Sequence, residues 1–333
     1  MTGRPMERDA LFRICSQSKA ITSTAAMVLW ERGLIDLDAP VAQYLPEFEG
    51  IGVIDSLMSD TTFTVIPAEQ VMTVRHLMTH TSGISYGEIG DPRFEALYDK
   101  HDIVDLFPRD ERSTRENAQK IASTCLIHSP GSQWNYSLGL DVLVAVVEAA
   151  SGRAYAEFVE EEVLAPLGMF DTHFVLPKVD VDRLVMVSEP VPVVGGFKRH
   201  EHPRYTIDYP LHPEWPLCSG GAGLTSTAED YARFLQCYLD RGRAGEGRLL
   251  EESTVDTVMA DHAPGLLDGG WNQGLAFGVR NGGEAEGAFF WGGYFNTQYF
   301  AHPASQTAVV LMKQTYGVNT DSTSKAFDAM LWN

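Results

Sequence analysis

Ser16 and Lys19 form a pair whose residue types and spacing can do chemistry. Residues three apart on an α-helix lie on the same face, so a helix that begins near Ser16 brings the hydroxyl within reach of the amine. Segment 20–31 is rich in helix formers and apolar residues and is followed by Gly33, which predicts a largely buried helix with a glycine cap. Burial of a lysine at the start of that helix favours its neutral form, which can accept the serine proton.

The Ser-x-x-Lys pattern is weak on its own, because ordinary composition produces it about once in a chain of this length. The chain repeats it at residues 322–325, in a segment that is predicted to be helical. A capping serine followed by a surface lysine is the usual structure of a single match. Ser16 therefore needs support from other motifs.

Ser85 offers a competing nucleophile, since residues 83–87 match the G-x-S-x-G motif. That motif exposes its serine on a tight turn between a strand and a helix. Here it follows a predicted short helix at residues 73–80, and neither an apolar strand nor an alternating βαβ pattern surrounds it. We therefore predict a glycine-rich turn at Ser85 rather than a nucleophile.

His200, Glu201, His202 and His212 are candidate metal ligands, but they lie in a proline-rich segment whose spacing defines no coordination geometry. We expect solvated loop histidines in this segment. Neither a metal ion nor an organic cofactor is predicted for the chain.

Two further motifs support Ser16. Tyr136 lies in a turn before a predicted buried helix, where a phenol can relay the serine proton to a leaving group when a cation lies nearby. Trp291-Gly292-Gly293 ends an apolar strand, and the two glycines let a substrate lie against the strand backbone. A backbone N–H there can pair with that of Ser16 as an oxyanion hole. A half-buried aromatic residue and a plain β-turn are the structural alternatives.

Composition limits the classes of partner. The 333 residues are 44% hydrophobic and 21% charged, which is typical of a globular protein with a substantial core. The net charge of −20 makes nucleic acid and anionic membranes poor partners. Four dispersed cysteines indicate neither a disulfide framework nor a zinc site. No membrane span or signal peptide is seen, so a cytoplasmic location is expected if Met1 is the natural start.

Secondary structure changes character along the chain. Helices are predicted at residues 138–151, 155–165 and 227–239, and residues 176–218 are expected to form a long surface excursion over a site. Short β-rich segments between about 275 and 313 are predicted to be consecutive antiparallel strands, followed by a helix from about 322. We expect a single domain over residues 1–333, with a sheet region at about 1–60 and 240–333 and a helical region at about 61–239.

These motifs, in this order, resemble those of the serine β-lactamase and penicillin-recognising hydrolase superfamily, and most closely the family VIII carboxylesterases. The resemblance implies an α/β (α+β) fold of the β-lactamase type, in which helices flank an antiparallel sheet and an all-helical region is inserted. It rests on residues 11–22, 77–83, 130–144, 220–236 and 291–293.

The resemblance also implies roles for single residues. Ser16 would attack an acyl carbonyl, and Lys19 and Tyr136 would share its proton. The backbone N–H groups of Ser16 and Tyr294, which follows Trp-Gly-Gly, would form the oxyanion hole. In this family a G-x-S-x-G match is usually incidental, which agrees with the argument against Ser85.

Two departures from the family pattern concern the substrate. Lactamases and transpeptidases of this type usually carry Tyr-x-Asn, but the third position here is Leu138. They also carry Lys-Thr-Gly or a near variant, whereas Trp291, Gly292 and Gly293 offer no charge and Trp291 adds an apolar wall. A carboxylate buried without a counter-ion is unfavourable, so we expect neutral esters rather than β-lactams or peptides to bind these four residues.

A third departure concerns the sheet. Relatives have a longer segment before the nucleophile that forms a helix and two strands, whereas fifteen residues precede Ser16 here. Either the natural start lies upstream, or the N-terminal strands are missing and the sheet has an edge that is exposed or covered by a partner chain. A homodimer is one expected outcome.

The sequence thus predicts a serine carboxylesterase that acts on small carboxylic esters through an acyl-enzyme on Ser16. An acyltransferase with the same residues stays open, as does a weak β-lactamase or DD-peptidase. A catalytically degenerate binding protein is an alternative of a different class. An α/β-hydrolase that uses Ser85 is the least favoured.

Overall fold

The structure is a computed structural model that describes residues 5–191, 195–317 and 322–331. Its helices are α1 (Ser18–Glu31), α2 (Val74–Met78), α3 (Pro92–Lys100), α4 (Thr114–Ala122), α5 (Gly139–Ser151), α6 (Tyr155–Val159), α7 (Ala228–Leu239), α8 (Glu252–Met259) and α9 (Ser322–Leu331). Its strands are β1 (Phe12–Arg13), β2 (Val53–Leu57), β3 (Phe63–Ile66), β4 (Ser188–Pro190), β5 (Phe197–Arg199), β6 (Thr225–Ser226), β7 (Arg243–Ala244), β8 (Gly247–Arg248), β9 (Trp271–Gln273), β10 (Gly278–Arg280), β11 (Phe289–Gly292), β12 (Gln298–His302) and β13 (Thr307–Leu311).

The main sheet consists of five antiparallel strands in the order β13-β12-β11-β10-β9. Apolar side chains that alternate along these strands face α7, where the rings of Tyr231 and Tyr299 lie 5.0 Å apart. The predicted run of antiparallel strands is therefore confirmed. The strand predicted at 275–280 is shorter than expected: it begins at Gly278, because residues 274–277 form the turn between β9 and β10, in which Gly274 N–H donates to the Phe277 carbonyl at 2.9 Å.

β13 forms one edge of this sheet. In the part of the chain that the structure describes, no strand pairs with its outer side, and β1 pairs with β6 instead of joining the main sheet. The predicted β-lactamase-like fold, with helices and an antiparallel sheet, is confirmed. The division into a sheet region and a helical region stays a prediction.

Helix α1 crosses the centre of the molecule, and every residue from Ser18 to Leu29 is buried. It packs against α5, which is buried from Gly139 to Val147. Gly33, just after the end of α1, has φ +69°, as the predicted glycine cap requires. A 3₁₀ turn at Cys15–Gln17 precedes α1 and carries Ser16 into the site. Cys15 has φ +49°, a left-handed conformation that is uncommon for a residue with a side chain.

Arg13 fixes the segment before Ser16 to distant parts of the chain. Its guanidinium is 2% exposed and donates to the carbonyl groups of Ile207, at 2.5 Å, and Val185, at 2.9 Å. The Gln314 side chain accepts from the Arg13 backbone N–H at 3.1 Å and donates to its carbonyl at 2.9 Å. Burial lowers the pKa of Arg13.

The remaining predicted helices are largely present. α7 and α5 match their predicted ranges, whereas the predicted helix 155–165 consists of α6 and a π-helical turn at Glu160–Leu164. The excursion at 176–218 is mostly irregular and contains the hairpin β4–β5. Within the described residues no helix combines the length and the apolar character needed to cross a membrane.

Candidate active site

The structure brings Ser16 and Lys19 together. Lys19 Nζ donates to Ser16 Oγ at 3.2 Å, and Lys19 is 4% exposed while Ser16 keeps partial access to solvent. The 3₁₀ turn and the first turn of α1 place the two side chains on one face. A hydroxyl and an amine at this distance can exchange a proton when a substrate arrives.

Lys19 has three acceptors. Besides Ser16 Oγ, its nitrogen donates to the Tyr86 hydroxyl at 3.0 Å and to the Gly221 carbonyl at 2.7 Å. An ammonium group has three N–H donors, so the protonated state is fully hydrogen-bonded by protein. The site is therefore arranged to stabilise Lys19 after it has taken a proton.

Tyr86 is a site residue that the sequence analysis missed. It lies within the G-x-S-x-G match, in the turn that follows α2, and is 1% exposed. Burial raises the pKa of Tyr86 well above its usual range, so it stays a phenol near neutral pH. No sequence signal links Tyr86 to Lys19, since 67 residues separate them and the fold alone brings them together.

Tyr136 contacts Lys19 through its ring face. Lys19 Nζ lies 4.7 Å from the ring centroid, and the Tyr136 hydroxyl accepts from Trp291 Nε1 at 3.4 Å. In the described parts of the chain no hydrogen bond joins that hydroxyl to Ser16 or Lys19. The predicted proton relay through Tyr136 therefore stays a prediction, and in this geometry Tyr86 holds the direct hydrogen bond to Lys19.

Four aromatic rings, one of them the Tyr136 ring that Lys19 contacts, form a wall. The centroids of neighbouring rings are 5.9 Å apart for the pairs Tyr136–Trp291, Trp291–Trp271 and Trp271–Trp134, and 6.2 Å apart for Trp134–Tyr136. Trp134 Nε1 donates to Gln273 Oε1 at 3.0 Å, which fixes its ring. Partly exposed indole and phenol surfaces favour apolar, uncharged groups.

Leu138 lies next to this wall but contributes no open surface. It is 1% exposed and occupies the N-terminal end of α5. The position at which the family's lactamases carry asparagine is thus filled by a side chain that packs in the core. A direct contact between Leu138 and substrate stays a prediction.

His80 packs beneath the wall as a neutral ring. Burial and the nearby Lys19 lower its pKa well below the usual value. Ser137 N–H donates to His80 Nδ1 at 3.2 Å, so the ring proton lies on Nε2. The imidazole stacks on Trp291 at 6.3 Å and supports that indole.

The turn after β11 explains the glycine pair. A Cβ on Gly293 would lie 2.1 Å from Thr297 Oγ1 and 2.5 Å from the Ile14 carbonyl oxygen, so no side chain fits. Gly293 N–H donates to the Thr297 carbonyl at 2.7 Å, and Thr297 Oγ1 donates to the Ile14 carbonyl at 3.3 Å. This close approach ties the turn to the segment that carries Ser16.

The predicted oxyanion hole consists of the N–H groups of Ser16 and Tyr294. Within the described residues neither group donates to a backbone carbonyl, and the Tyr294 N–H also faces the buried sulfur of Cys15. Their roles stay a prediction that this geometry permits.

The two serines not favoured as nucleophiles differ in exposure. Ser85 is fully buried, and its hydroxyl donates to the Tyr86 carbonyl at 3.0 Å. Ser322 begins α9 and is exposed, and the side chains of Ser324 and Lys325 lie outside the described residues.

The expectation of solvated histidines at 200–202 is wrong for His200. That ring is 1% exposed, with Nδ1 2.6 Å from Glu189 and Nε2 2.9 Å from the Tyr205 hydroxyl, because β4 and β5 bring the carboxylate and the ring together. Over the described ranges, no cluster of three or more His, Cys, Asp or Glu side chains could hold a metal ion.

Comparison with known proteins places these features in a family. A profile described as Beta-lactamase matches residues 1–330. Esterase EstB of Burkholderia gladioli is 32% identical over 337 residues, covering 94% of this chain and 79% of EstB. Monacolin J acid methylbutanoyltransferase of Aspergillus terreus is 27% identical over 269 residues, covering 81% of this chain and 61% of that enzyme.

A solved structure agrees with this relationship. EstCE1, described as a hydrolase with promiscuous acyltransferase activity, superposes with a TM-score of 0.77 at 25% identity, covering 94% of this chain and 82% of that one. The resemblance inferred from five motifs is confirmed. With a family match over nearly its whole length, the chain belongs to the Beta-lactamase family.

Proposed function

We propose that the protein is a serine carboxylesterase that cleaves small carboxylic esters through an acyl-enzyme on Ser16. The observation that carries the proposal is the 3.2 Å hydrogen bond between Lys19 and Ser16 beside an uncharged aromatic wall. Membership of the family and the 32% identity to EstB, a protein named as an esterase, support it.

Acylation begins with a proton transfer. Neutral Lys19 accepts the Ser16 proton as Oγ bonds to the acyl carbon, and the new ammonium donates to the Tyr86 hydroxyl and the Gly221 carbonyl. The carbonyl oxygen becomes an oxyanion, which the N–H groups of Ser16 and Tyr294 bind. Preorganised donors and acceptors lower the barrier because they need no rearrangement during the step.

Collapse of this intermediate breaks the ester bond. The departing alkoxide takes a proton from Lys19, directly or through the Tyr136 hydroxyl, and leaves as the alcohol. Water then attacks the acyl-enzyme while Lys19 again accepts a proton. The carboxylic acid leaves and Ser16 recovers its hydrogen, so each cycle consumes one ester and one water.

The aromatic wall supports neutral substrates. Trp134, Tyr136, Trp271 and Trp291 offer apolar surface, and Gly292 and Gly293 add no charge. An anionic acyl or alcohol group would lose hydration there without a counter-ion from the wall. Uncharged esters therefore fit this site better than β-lactams or peptides with a free carboxylate.

An activity probe and an acyl-chain series test the proposal. We expect a fluorophosphonate to label wild type and Ser85→Ala but not Ser16→Ala, and p-nitrophenyl esters of increasing chain length to be hydrolysed by the first two proteins. Labelling of Ser85, or no labelling at all, contradicts the proposal. A folded protein that is labelled at Ser16 but turns over no ester favours a binding protein.

An acyltransferase with the same residues is the second candidate. Two observations favour it: the 27% identity to monacolin J acid methylbutanoyltransferase, and the structural similarity to EstCE1, a hydrolase with promiscuous acyltransferase activity. Product analysis with added alcohol or amine separates the two activities, since a transferase forms the new ester or amide in preference to the acid. Nitrocefin turnover as fast as ester turnover would instead support a β-lactamase.

We also propose that the protein forms a homodimer through the outer side of β13. Residues 307–311 are Thr-Ala-Val-Val-Leu, and a β-branched edge strand readily pairs with another strand. Sedimentation equilibrium should show a dimer that Val309→Lys converts to a monomer, because a charge on the edge opposes pairing. A wild-type protein that is monomeric at all concentrations rejects the dimer and leaves the esterase proposal unchanged.

A further inference from the structure

Asp141 is a buried carboxylate near Lys19 that the mechanism above does not use. It lies in the first turn of α5 and is 9% exposed. Its Oδ1 accepts from Ser219 Oγ at 2.6 Å and from Gly221 N–H at 3.4 Å. Its Oδ2 is inaccessible to solvent and accepts no hydrogen bond. A buried oxygen without a donor is unfavourable and calls for an explanation.

The oxygen without a donor and the lysine nitrogen both lie beside Gly221. The position that a Cβ of Gly221 would occupy is 2.6 Å from Asp141 Oδ2, 3.0 Å from the Tyr86 hydroxyl and 3.3 Å from Lys19 Nζ. These three polar atoms therefore converge on one small space, and the absence of a side chain on Gly221 keeps them close. Because Asp141 and Lys19 are both buried, the charge of Lys19 acts on the Asp141 carboxylate through a medium that screens it weakly.

Asp141 is also linked to Lys19 through the backbone. Gly221 donates its N–H to Asp141 Oδ1 and accepts from Lys19 Nζ at 2.7 Å through its carbonyl. The carboxylate thus fixes the peptide that binds the lysine. Burial raises the pKa of Asp141, while the Ser219 hydroxyl and the Lys19 charge oppose that change.

We propose that Asp141 is a positioning residue for Lys19: its carboxylate holds the backbone at 219–221 and supplies the counter-charge for the ammonium that forms when Ser16 gives up its proton. This inference rests on the proposed serine chemistry. In that step the Ser16 O–H bond breaks, a Lys19 N–H bond forms, and Oγ bonds to the acyl carbon. Asp141 gains no bond and changes only the electrostatic energy of the charged state.

Among the described residues, the other titratable groups near Lys19 and Asp141 are either neutral near pH 7 or can be tested with a variant of their own. Burial raises the pKa of Tyr86, Tyr155 and the Cys15 thiol and lowers that of His80, so these groups stay neutral near pH 7. Asp105 interacts with Asp141 and titrates with a pKa of about 7, so its contribution needs a separate variant. The groups that act on Lys19 or Asp141 are Cys15, His80, Tyr86, Asp105, Tyr136 and Tyr155.

Asp141→Asn tests the proposal because it removes the charge and keeps an oxygen for Ser219. We expect kcat to fall about 10- to 100-fold with KM within about twofold, since the lost interaction is made mainly after proton transfer. The acid limb of the kcat/KM profile should move to lower pH by about one unit, because Lys19 without a counter-charge releases its proton more readily. The pH dependence of fluorophosphonate labelling at Ser16 should shift in the same direction.

Three further variants make the result specific. Glu148→Gln removes another carboxylate from helix α5. Glu148 accepts from Tyr155 N–H at 3.1 Å and has no contact with Lys19 among the described residues, so this variant should leave kcat and the acid limb unchanged. Asp105→Asn should leave the acid limb in place. Ser219→Ala removes the 2.6 Å donor that favours the ionised form of Asp141, so the carboxylate is ionised less and the limb should shift in the direction of Asp141→Asn by a smaller amount.

An unchanged acid limb in folded Asp141→Asn overturns the inference, and so does a loss confined to KM. If Asp141→Asn does not fold, Ser219→Ala is used as the test, and an unchanged acid limb in that variant also overturns the inference. A wild type that is labelled at Ser16 without hydrolysing any ester refutes the esterase. The labelling profiles of the variants then still test the role of Asp141.

Discussion

When Lys19 is protonated, each of its three hydrogens has its own acceptor, and only one of the three acceptors is the proposed nucleophile. Tyr86 and Gly221 keep the nitrogen in place when Ser16 Oγ moves toward a substrate. A base that is held from two sides loses little entropy on reaching the transition state. The contribution of Tyr86 can be separated from that of Tyr136, because one contacts Lys19 by its hydroxyl and the other by its ring.

Tyr86→Phe should lower kcat/KM for p-nitrophenyl butyrate by about 10- to 100-fold. A hydrogen bond to a charged group contributes about 1.5–3 kcal/mol, and about 1.4 kcal/mol is a tenfold change in rate. Tyr98→Phe is the matched control, since Tyr98 is equally buried but its hydroxyl accepts from Ser85 N–H at 3.2 Å. Equal values of kcat/KM for Tyr86→Phe and wild type would mean that the Tyr86 hydroxyl does not contribute to catalysis and that the ring serves only in packing.

Gly293→Ala should lower kcat at least tenfold, whereas Gly292→Ala should stay within about threefold of wild type. The new methyl group at 293 meets Thr297 Oγ1 at 2.1 Å and the Ile14 carbonyl at 2.5 Å, so the turn that carries Tyr294 must move. At 292 the nearest atom is 3.4 Å away. Steady-state kinetics of both variants measure the difference, and similar losses at the two positions would contradict this account.

The sequence was sufficient to predict contacts between site residues that lie on the same short element. Ser16 and Lys19 could be paired because three positions on one helix fix their distance. Tyr86 could not be paired with Lys19, since their contact depends on the packing of the turn after α2 against α1. Asp141 was missed for the same reason: its partners Ser219 and Gly221 lie about 80 residues further along the chain.

At the scale of elements, β1 is too short to hold Ser16 in place by its own strand pairing, because it has two residues and one partner strand. Arg13 compensates by donating to carbonyl groups in the 176–218 excursion and by contacting Gln314 after β13. The excursion and the end of the sheet therefore support the same segment that leads into Ser16.

Arg13→Met should lower the free energy of unfolding by about 3 kcal/mol, because the carbonyl groups of Ile207 and Val185 lose their buried donor. Arg8→Met is the control, since the Arg8 side chain is 92% exposed and should change stability by less than about 0.5 kcal/mol. Urea unfolding of both variants gives the two values. A small loss for Arg13→Met would mean that water replaces the guanidinium.

Elements with a clear apolar period were predicted well, and those shaped by tertiary contacts were not. α5 and α7 could be read from the sequence because each combines an apolar face with a recognisable end. The burial of His200 could not, since it depends on a hairpin that pairs Glu189 with Lys198 and on Tyr205. In an irregular segment, the sequence does not indicate which polar residues will be buried.

At the scale of the whole molecule, stability should depend on the ionisation of Asp105. Burial raises its pKa to about 7, although Glu88 N–H and Arg204 favour the carboxylate. The folded state therefore keeps a proton that the unfolded chain releases near pH 4. The free energy of unfolding contributed by this group falls as pH rises from about 4 through about 7.

Asp105→Asn should weaken this dependence. Between about pH 5 and pH 8 we expect its free energy of unfolding to fall by about 2 kcal/mol less than that of wild type, after allowance for the partial exposure of the side chain. Asp99→Asn, which alters an exposed carboxylate that binds Arg204 at 2.7 Å, should follow the wild-type slope. Parallel curves for wild type and Asp105→Asn would show that Asp105 is ionised throughout.

The order of five motifs was enough to predict the fold class and the family, because motif order reflects the path of the chain through a shared architecture. It could not predict which edge of the sheet is open, since a strand's partner lies elsewhere in the chain. The outer side of β13 became apparent only from the pairing of β1 with β6.

The aromatic wall has a practical consequence for the study of catalysis. Indole emission depends on local polarity. Trp291 donates to Tyr136, whose ring contacts Lys19, and Trp134 and Trp271 complete the wall. An acyl group on Ser16 would exclude water from these rings and alter their fluorescence. The protein thus carries its own optical reporter, and stopped-flow emission could time the appearance and loss of the acyl-enzyme for substrates that have no chromophore.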